Sequence, residues 1–260
     1  MYAEERRASI LELLRHRRRV GVSLLAEQMA ASQETIRRDL REMEAEGLLK
    51  RTHGGAILPD VPDERPETPI MQRKSQNFLL KDGIARKAAG FVKNGDVVAI
   101  DNSTTVFCLL RHMPRDFHLT IISNSVPVLA EIMTMQHCEW TCTSLGGVMH
   151  RHSSSTFGPL AYEALGHFRP NKLFMSCGAI DVDGRLTEGN LHDAEMKRAL
   201  IACSQTTFLL ADETKFGKIG VVNGPDASEL DYLVTNASIN RKRLEALRDK
   251  DVKIVFDTKE

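Results

Sequence analysis

Arg37, Arg38 and Arg41 crowd the run SQETIRRDLR (32–41), and their spacing sets them beside the first turns of one short helix. Guanidinium forks pair with guanine edges or phosphate oxygens, so the chemistry is that of polyanion contact. Gln33 suits adenine bidentately, the Ser32 and Thr35 hydroxyls suit a phosphate or a base edge, and Arg41, further along, suits backbone phosphate. Lys50, Arg51 and His53 follow in KRTHGG, within reach of phosphates or a minor groove, while Gly54 and Gly55 permit a tight turn. Asp39 adds nothing to polyanion affinity; it is expected to orient an arginine or pair with a neighbouring helix. A charged helix face alone is more often merely solvated, so context must carry the reading.

A second constellation is rich in hydroxyls. VVAIDNSTT (97–105) is a strand emptying into Asp101, Asn102, Ser103, Thr104 and Thr105, with a helix after it. Backbone N–H groups and hydroxyls at such a helix start form an anion pocket. Equally, the hydroxyls only cap the helix, and the residues alone leave the two readings even. Other loops also fall at strand ends, where open α/β sheets place ligands. They carry Asn124 and Ser125, Gly146 and Gly147, Gly178 and Asp181, and Lys215 with Asp212 three residues before it. Lys215 is the candidate counter-charge for a phosphate or sugar hydroxyls.

The elements that must position these groups follow from periodicity. Ile10, Leu11 and Leu14 mark a first helix, followed by the cationic run Arg15, Arg17, Arg18 and Arg19, which suits a helix C-terminus. Ser23 introduces a second helix, and Ser32 the arginine-bearing third, which ends near Gly47. LLKRTHGGAIL then reads as a β-hairpin turning at Gly54-Gly55. Two helices, a short turn, a third helix and a hairpin make a winged helix-turn-helix, whose third helix enters the major groove.

Residues 59–69, PDVPDERPETP, hold four prolines and four acids and read as a semi-extended linker. Beyond them strand-length runs at 97–100, 119–122, 172–180, 207–211 and 252–256 alternate with helical stretches TVFCLLRHM, VPVLAEIMTM, FGPLAYEALGHF and DAEMKRALIACS. That alternation implies a mostly parallel sheet covered by helices. The expected organisation is a winged helix-turn-helix over 1–58, a linker over 59–77 and an α/β domain over 78–260.

Composition bounds the rest. Among 260 residues, Lys plus Arg equals Asp plus Glu at 35 each, which excludes a globally basic, non-specific polyanion binder but not a local basic face. Apolar content of 42% allows a sizeable core. No run approaches the ~18–20 apolar residues that span a bilayer, and the N-terminus lacks an apolar signal segment, so a cytoplasmic protein with no membrane partner is expected. Five cysteines, odd in number and without CxxC spacing, read as reduced, buried thiols; no metal and no cofactor is expected.

TIRRDL (35–40), followed by E-x-x-G-L-L-x-R-x-H-G-G-A (44–56), resembles the signature of the DeoR family of bacterial transcriptional regulators. Matching segments through most of 81–236 extend the resemblance nearly to full length. It implies a C-terminal sugar-phosphate sensor similar in fold to pentose-phosphate isomerases, with Glu195 and Lys197 of DAEMKRA near the pocket. One departure stands out: the family pattern after the strand is usually D-x-G-T-T, whereas Ser103 occupies the glycine position here. Either a loop that needs positive φ is altered, or Ser103 supplies one more hydroxyl.

The function so implied is a repressor of a carbohydrate-metabolism operon, relieved when a phosphorylated sugar binds. Its partners would be a double-stranded DNA operator, the phosphosugar and further copies of itself, as a dimer or tetramer. The alternative is a sugar-phosphate isomerase-like enzyme with an appended DNA-binding head, using Asp101, Asp181, Glu195 and Lys215 for proton transfer. A non-specific architectural DNA protein conflicts with the neutral overall charge.

Overall fold

The computed structural model describes residues 6–7, 9–11, 13–14, 19–45, 49–52, 54–57 and 70–258. His53, Gly47, the cations at 15, 17 and 18, and the linker segment 59–69 lie outside the described residues. The chain divides into two compact units, 1–65 and 66–260.

In the first unit the described residues between 6 and 14 are helical. They precede β1 (Arg19–Gly21), α1 (Val22–Gln28), α2 (Gln33–Ala45), β2 (Lys50–Thr52) and β3 (Gly55–Ile57). Ser23 falls one residue inside α1, because Gly21 rather than a hydroxyl stands at the cap. Helix α2 starts where Ser32 Oγ accepts the Thr35 amide at 3.1 Å, which satisfies one donor that no intrahelical carbonyl can reach. Ile36, Leu40 and Met43 turn inward onto Ile10, Leu14 and Leu25. Strand β1, absent from the sequence expectation, pairs with β3 to give the order β1-β3-β2. Gly55 is required there: a Cβ on it would lie 1.9 Å from the Val20 carbonyl oxygen.

The second unit is built on seven parallel strands. They are β4 (Val97–Ile100), β5 (Leu119–Ser123), β6 (Trp140–Ser144), β9 (Lys172–Met175), β12 (Thr207–Leu210), β14 (Tyr232–Thr235) and β15 (Lys253–Phe256). Their order is β15-β14-β12-β9-β4-β5-β6. Alternate strand residues face opposite ways. Val98, Ile100, Phe174 and Phe208 enter one core with α4 (Phe78–Ala89), α5 (Thr104–Phe107) and α6 (Val126–Thr134). Ala99, Leu173, Met175 and Leu209 enter the other with α7 (Pro159–Gly166), α8 (Leu191–Cys203) and α9 (Glu245–Arg248). Burial on both faces explains the continuous apolar runs. A helix α3 (Ile70–Ser75) precedes α4 within the stretch read as linker.

The run KLFMSCGAI does not form one strand. The Ser176 amide turns aside to donate to the Asp101 carboxylate at 3.0 Å, and Ala179–Ile180, as β10, pairs instead with β11 (Leu186–Glu188). Strand β11 also pairs with β13 (Val222–Asn223), while β7 (Val148–His150) and β8 (Ser155–Phe157) form a separate hairpin. TVFCLLRHM is α-helical only to Phe107 and continues as a 3-10 turn, Cys108–Arg111. Phe157 belongs to β8 rather than to the helix after it. Among the described residues no helix is long and apolar enough to cross a membrane.

Candidate functional site

On α2 the arginines stand outward. Arg38 is 77% exposed and its Nε donates to Glu42 at 3.1 Å. Arg41 donates to Glu34 at 3.0 Å, and Arg37 lies 3.7 Å from the same carboxylate. Gln33 is exposed on the same turn, and the Ser32 and Thr35 hydroxyls lie 2.8 Å apart at the helix start. Asp39 is buried and holds Arg6 of the preceding helical segment, accepting from Nε at 2.5 Å and Nη2 at 3.2 Å. Its role is thus to fasten one helix to the next. Arg7 pairs with Glu42 in the same way. In the wing, Lys50 lies on β2, and the Arg51 amide donates to Glu44 at 2.8 Å. The Gly54 carbonyl accepts the Val22 amide at 2.9 Å. Among the described residues Arg37, Arg38 and Arg41 on the helix and Arg51 and Gly54 in the wing are exposed.

The second site is an open cleft of about 520 Å³ in the sensor-side unit. It lies at the ends of β4 and β9, where the strand order reverses, the place at which such sheets bind ligands. Asp101 ties those two ends together: Oδ1 accepts the Ser103 amide at 2.9 Å and Oδ2 the Ser176 amide. Ser103 has φ −81° and ψ 149°, ordinary extended backbone, and its Oγ accepts the Val106 amide. A glycine is not required at that position by backbone conformation. Helix α5, which Ser103 caps, spans four residues, so its dipole supplies little field and side chains must supply the positive charge.

They do so on one side of the cleft. Lys81, from α4, is buried, and its Nζ donates to Thr104 Oγ1 at 3.0 Å and to the Arg73 carbonyl at 2.6 Å. Burial, and then the neighbouring Lys215, hold its ammonium below the usual lysine range. Lys215 reaches the Gly178 carbonyl at 3.3 Å. Arg73 lies near enough to act on the Lys81 charge, and the exposed Lys218 also lines the cleft. The Arg73 Nε and Nη2 atoms are buried without an acceptor, and so is Ser176 Oγ without a partner. Asn77, at φ 53°, donates across the cleft to Thr214 Oγ1 at 3.1 Å. Thr214 is in turn held by Asp212 Oδ1.

The far side is acidic. Lys197 Nζ lies 2.8 Å from Glu188 and 3.8 Å from Asp101. Burial lowers Lys197, but Glu188, Asp101 and Asp193 together outweigh it and leave the ammonium above the ordinary range. Burial raises Asp101 and Glu188 against the pull of the same lysine. Asn102 bridges the group to the hairpin, donating to Asp193 at 2.9 Å and to Ser155 at 3.2 Å. Cys177 sits between the two sides, its thiol pushed up to about 12 by burial, so it is no nucleophile.

Of the residues singled out in the sequence, Asn102, Ser103, Thr104, Thr105, Gly178, Lys197, Asp212 and Lys215 line the cleft, with Asp101 directly beneath. The others lie outside that lining. Asn124 donates to the Thr156 carbonyl, and Ser125 caps α6. Gly147, at φ 99°, packs where a Cβ would meet the Phe157 carbonyl at 2.5 Å, with Gly146 beside it in the same loop. Asp181 holds the β10–β11 turn through the Asp183 and Arg185 amides, and Glu195 accepts the Tyr162 hydroxyl. Sequence reasoning missed Arg73, Gln76, Asn77 and Lys81, whose three-to-four-residue polar spacing was the available signal. It missed Ser176, Glu188 and Asp193 as well, which fell inside or beside apolar runs.

Known proteins supply the frame. The profile of the DeoR-like helix-turn-helix domain matches residues 6–61, and that of the DeoR C-terminal sensor domain matches 76–237. An uncharacterized HTH-type transcriptional regulator of Bacillus subtilis (strain 168) is 33% identical over 98% of this chain and 96% of its own length. The glycerol-3-phosphate regulon repressor of Escherichia coli (strain K12) is 30% identical over 98% of this chain and 99% of its own. Ribose 5-phosphate isomerase A of Methanocaldococcus jannaschii has 16% identity and a TM-score of 0.40, over 54% of this chain and 55% of its own. The isomerase-like alternative is set aside, since proteins of the matching family are regulators rather than enzymes. Winged helix, arginine face and sensor domain together place the chain in the DeoR family of DNA-binding transcriptional regulators.

Proposed function

We propose that the protein represses a carbohydrate-use operon and is released from its operator when a phosphorylated sugar or polyol enters the cleft. The observation that carries the effector is the cationic side of that cleft. Buried Lys81 meets the hydroxyl-rich start of α5 at Thr104, with Arg73 and Lys215 near it in the same lining. A phosphate there would gain charge-assisted hydrogen bonds that water-exposed cations could not give as strongly. Repression, rather than activation, is the reading supported by the similarity to the glycerol-3-phosphate regulon repressor of Escherichia coli.

Arg73, Gln76 and Asn77 belong to the segment that continues directly from the linker. An effector gripping Arg73 therefore acts on the stretch of chain leading to the DNA-binding unit. Such a switch requires unequal effector affinity for the operator-bound and released states. A homodimer or tetramer would set two heads on repeated half-sites.

The test is operator binding in the presence of competitor DNA, with a panel of sugar and polyol phosphates titrated in. One footprint that survives competitor and is dissolved by one phosphate compound supports the reading. Specific binding that no phosphate compound alters would remove the effector half of it.

A further inference from the structure

We infer that the cleft selects monophosphates whose far end carries no second anion, and so rejects sugar bisphosphates and phosphorylated sugar acids. The inference rests on the effector reading above and deepens it.

Charge is distributed unevenly along the cleft. At one side Lys81, Arg73 and Lys215 lie near a single carboxylate, Asp212. Three cations against one acid leave enough positive charge to balance one phosphate dianion of about −1.5 to −2. Arg73 Nε and Nη2, buried without an acceptor, form the two-pronged donor that a phosphate takes up.

At the other side a single ammonium, Lys197, is surrounded by three carboxyl groups: Glu188, Asp101 and Asp193. That lysine has no positive charge to spare. A second phosphate or a carboxylate arriving there would lose its hydration and meet carboxyl groups rather than a free cation. Hydroxyls meet the opposite situation, because carboxyl oxygens and Ser176 Oγ, which is buried without a partner, are ready acceptors. Cys177, in the same lining, feels both Glu188 and Lys215, so the two regions belong to one cleft.

The experiment compares matched pairs by calorimetry on the full chain. The pairs are fructose 6-phosphate with fructose 1,6-bisphosphate, glucose 6-phosphate with 6-phosphogluconate, and glycerol 3-phosphate with 3-phosphoglycerate. For any carbon skeleton that binds, the member with the uncharged tail is expected to bind at least about tenfold tighter. Asp193→Asn should narrow that ratio, although the wild-type ratio alone decides the matter if the variant fails to fold. A bisphosphate or sugar acid that binds as tightly as its partner overturns the selectivity while leaving the effector reading intact. Failure of every phosphate compound to bind overturns both.

Discussion

The Lys81 ammonium, carried on α4, lies 3.0 Å from the Thr104 hydroxyl that opens α5. A buried lysine so placed costs desolvation, which an anion arriving beside it would offset. Lys81→Met keeps the side-chain length and removes the charge. Effector affinity by calorimetry is expected to fall about 10–100-fold, while the melting temperature holds or rises and operator affinity is unchanged. Undiminished effector binding would show that the phosphate does not sit at this end.

Arg73 separates binding from response. With its Nε and Nη2 buried without an acceptor, Arg73→Gln should weaken effector affinity by no more than about tenfold yet abolish release of the operator. The readout is the concentration of effector needed to dissolve the footprint, set against the affinity measured without DNA. If both change by the same factor, Arg73 only binds.

Arg38 is the most exposed of the three arginines on α2 and, among the described residues, pairs with Glu42. Arg38→Ala should cost about 1–3 kcal/mol of operator affinity and relax preference at one base position. Binding to a library of single-base operator variants measures this, and an unaltered preference profile would move Arg38 off the bases.

Gly55→Ala tests the wing. A Cβ 1.9 Å from the Val20 carbonyl cannot be absorbed by a side-chain adjustment, since backbone must move. A loss of about 3 kcal/mol is expected in the first unit, with operator binding gone and effector binding intact. Circular dichroism melting, followed alongside effector calorimetry, reads both.

The DNA-binding unit was legible in the sequence because its signals are local. Ser32 caps, Ile36, Leu40 and Met43 repeat at helical spacing, and two glycines mark the wing, all within some 25 residues. The strands β4, β5, β12 and β15 were legible as apolar runs. Strand β6, WTCTS, escaped because an edge strand needs apolar residues on fewer positions; β14, YLVT, was passed over although it is as apolar as β12. The cleft was half legible. Its Asn102–Thr105 stretch is contiguous, whereas Lys81 arrives from twenty-three positions earlier and Asn102 meets Asp193 across ninety-one. Parallel crossovers bring such residues together, and no local pattern announces them.

The acids on the recognition helix bear on how the protein finds its operator among a whole genome of competing sequence. Glu34 holds Arg37 and Arg41, and Glu42 holds Arg38, so each guanidinium would enter a DNA groove already paired. Random sequence offers only phosphates in exchange, and the displaced carboxylates repel those phosphates; the operator adds base edges that make the exchange worthwhile. The carboxylates thereby lower idle residence on irrelevant sites more than residence on the operator. A repressor present in few copies spends correspondingly less of its search stalled on the wrong sequence.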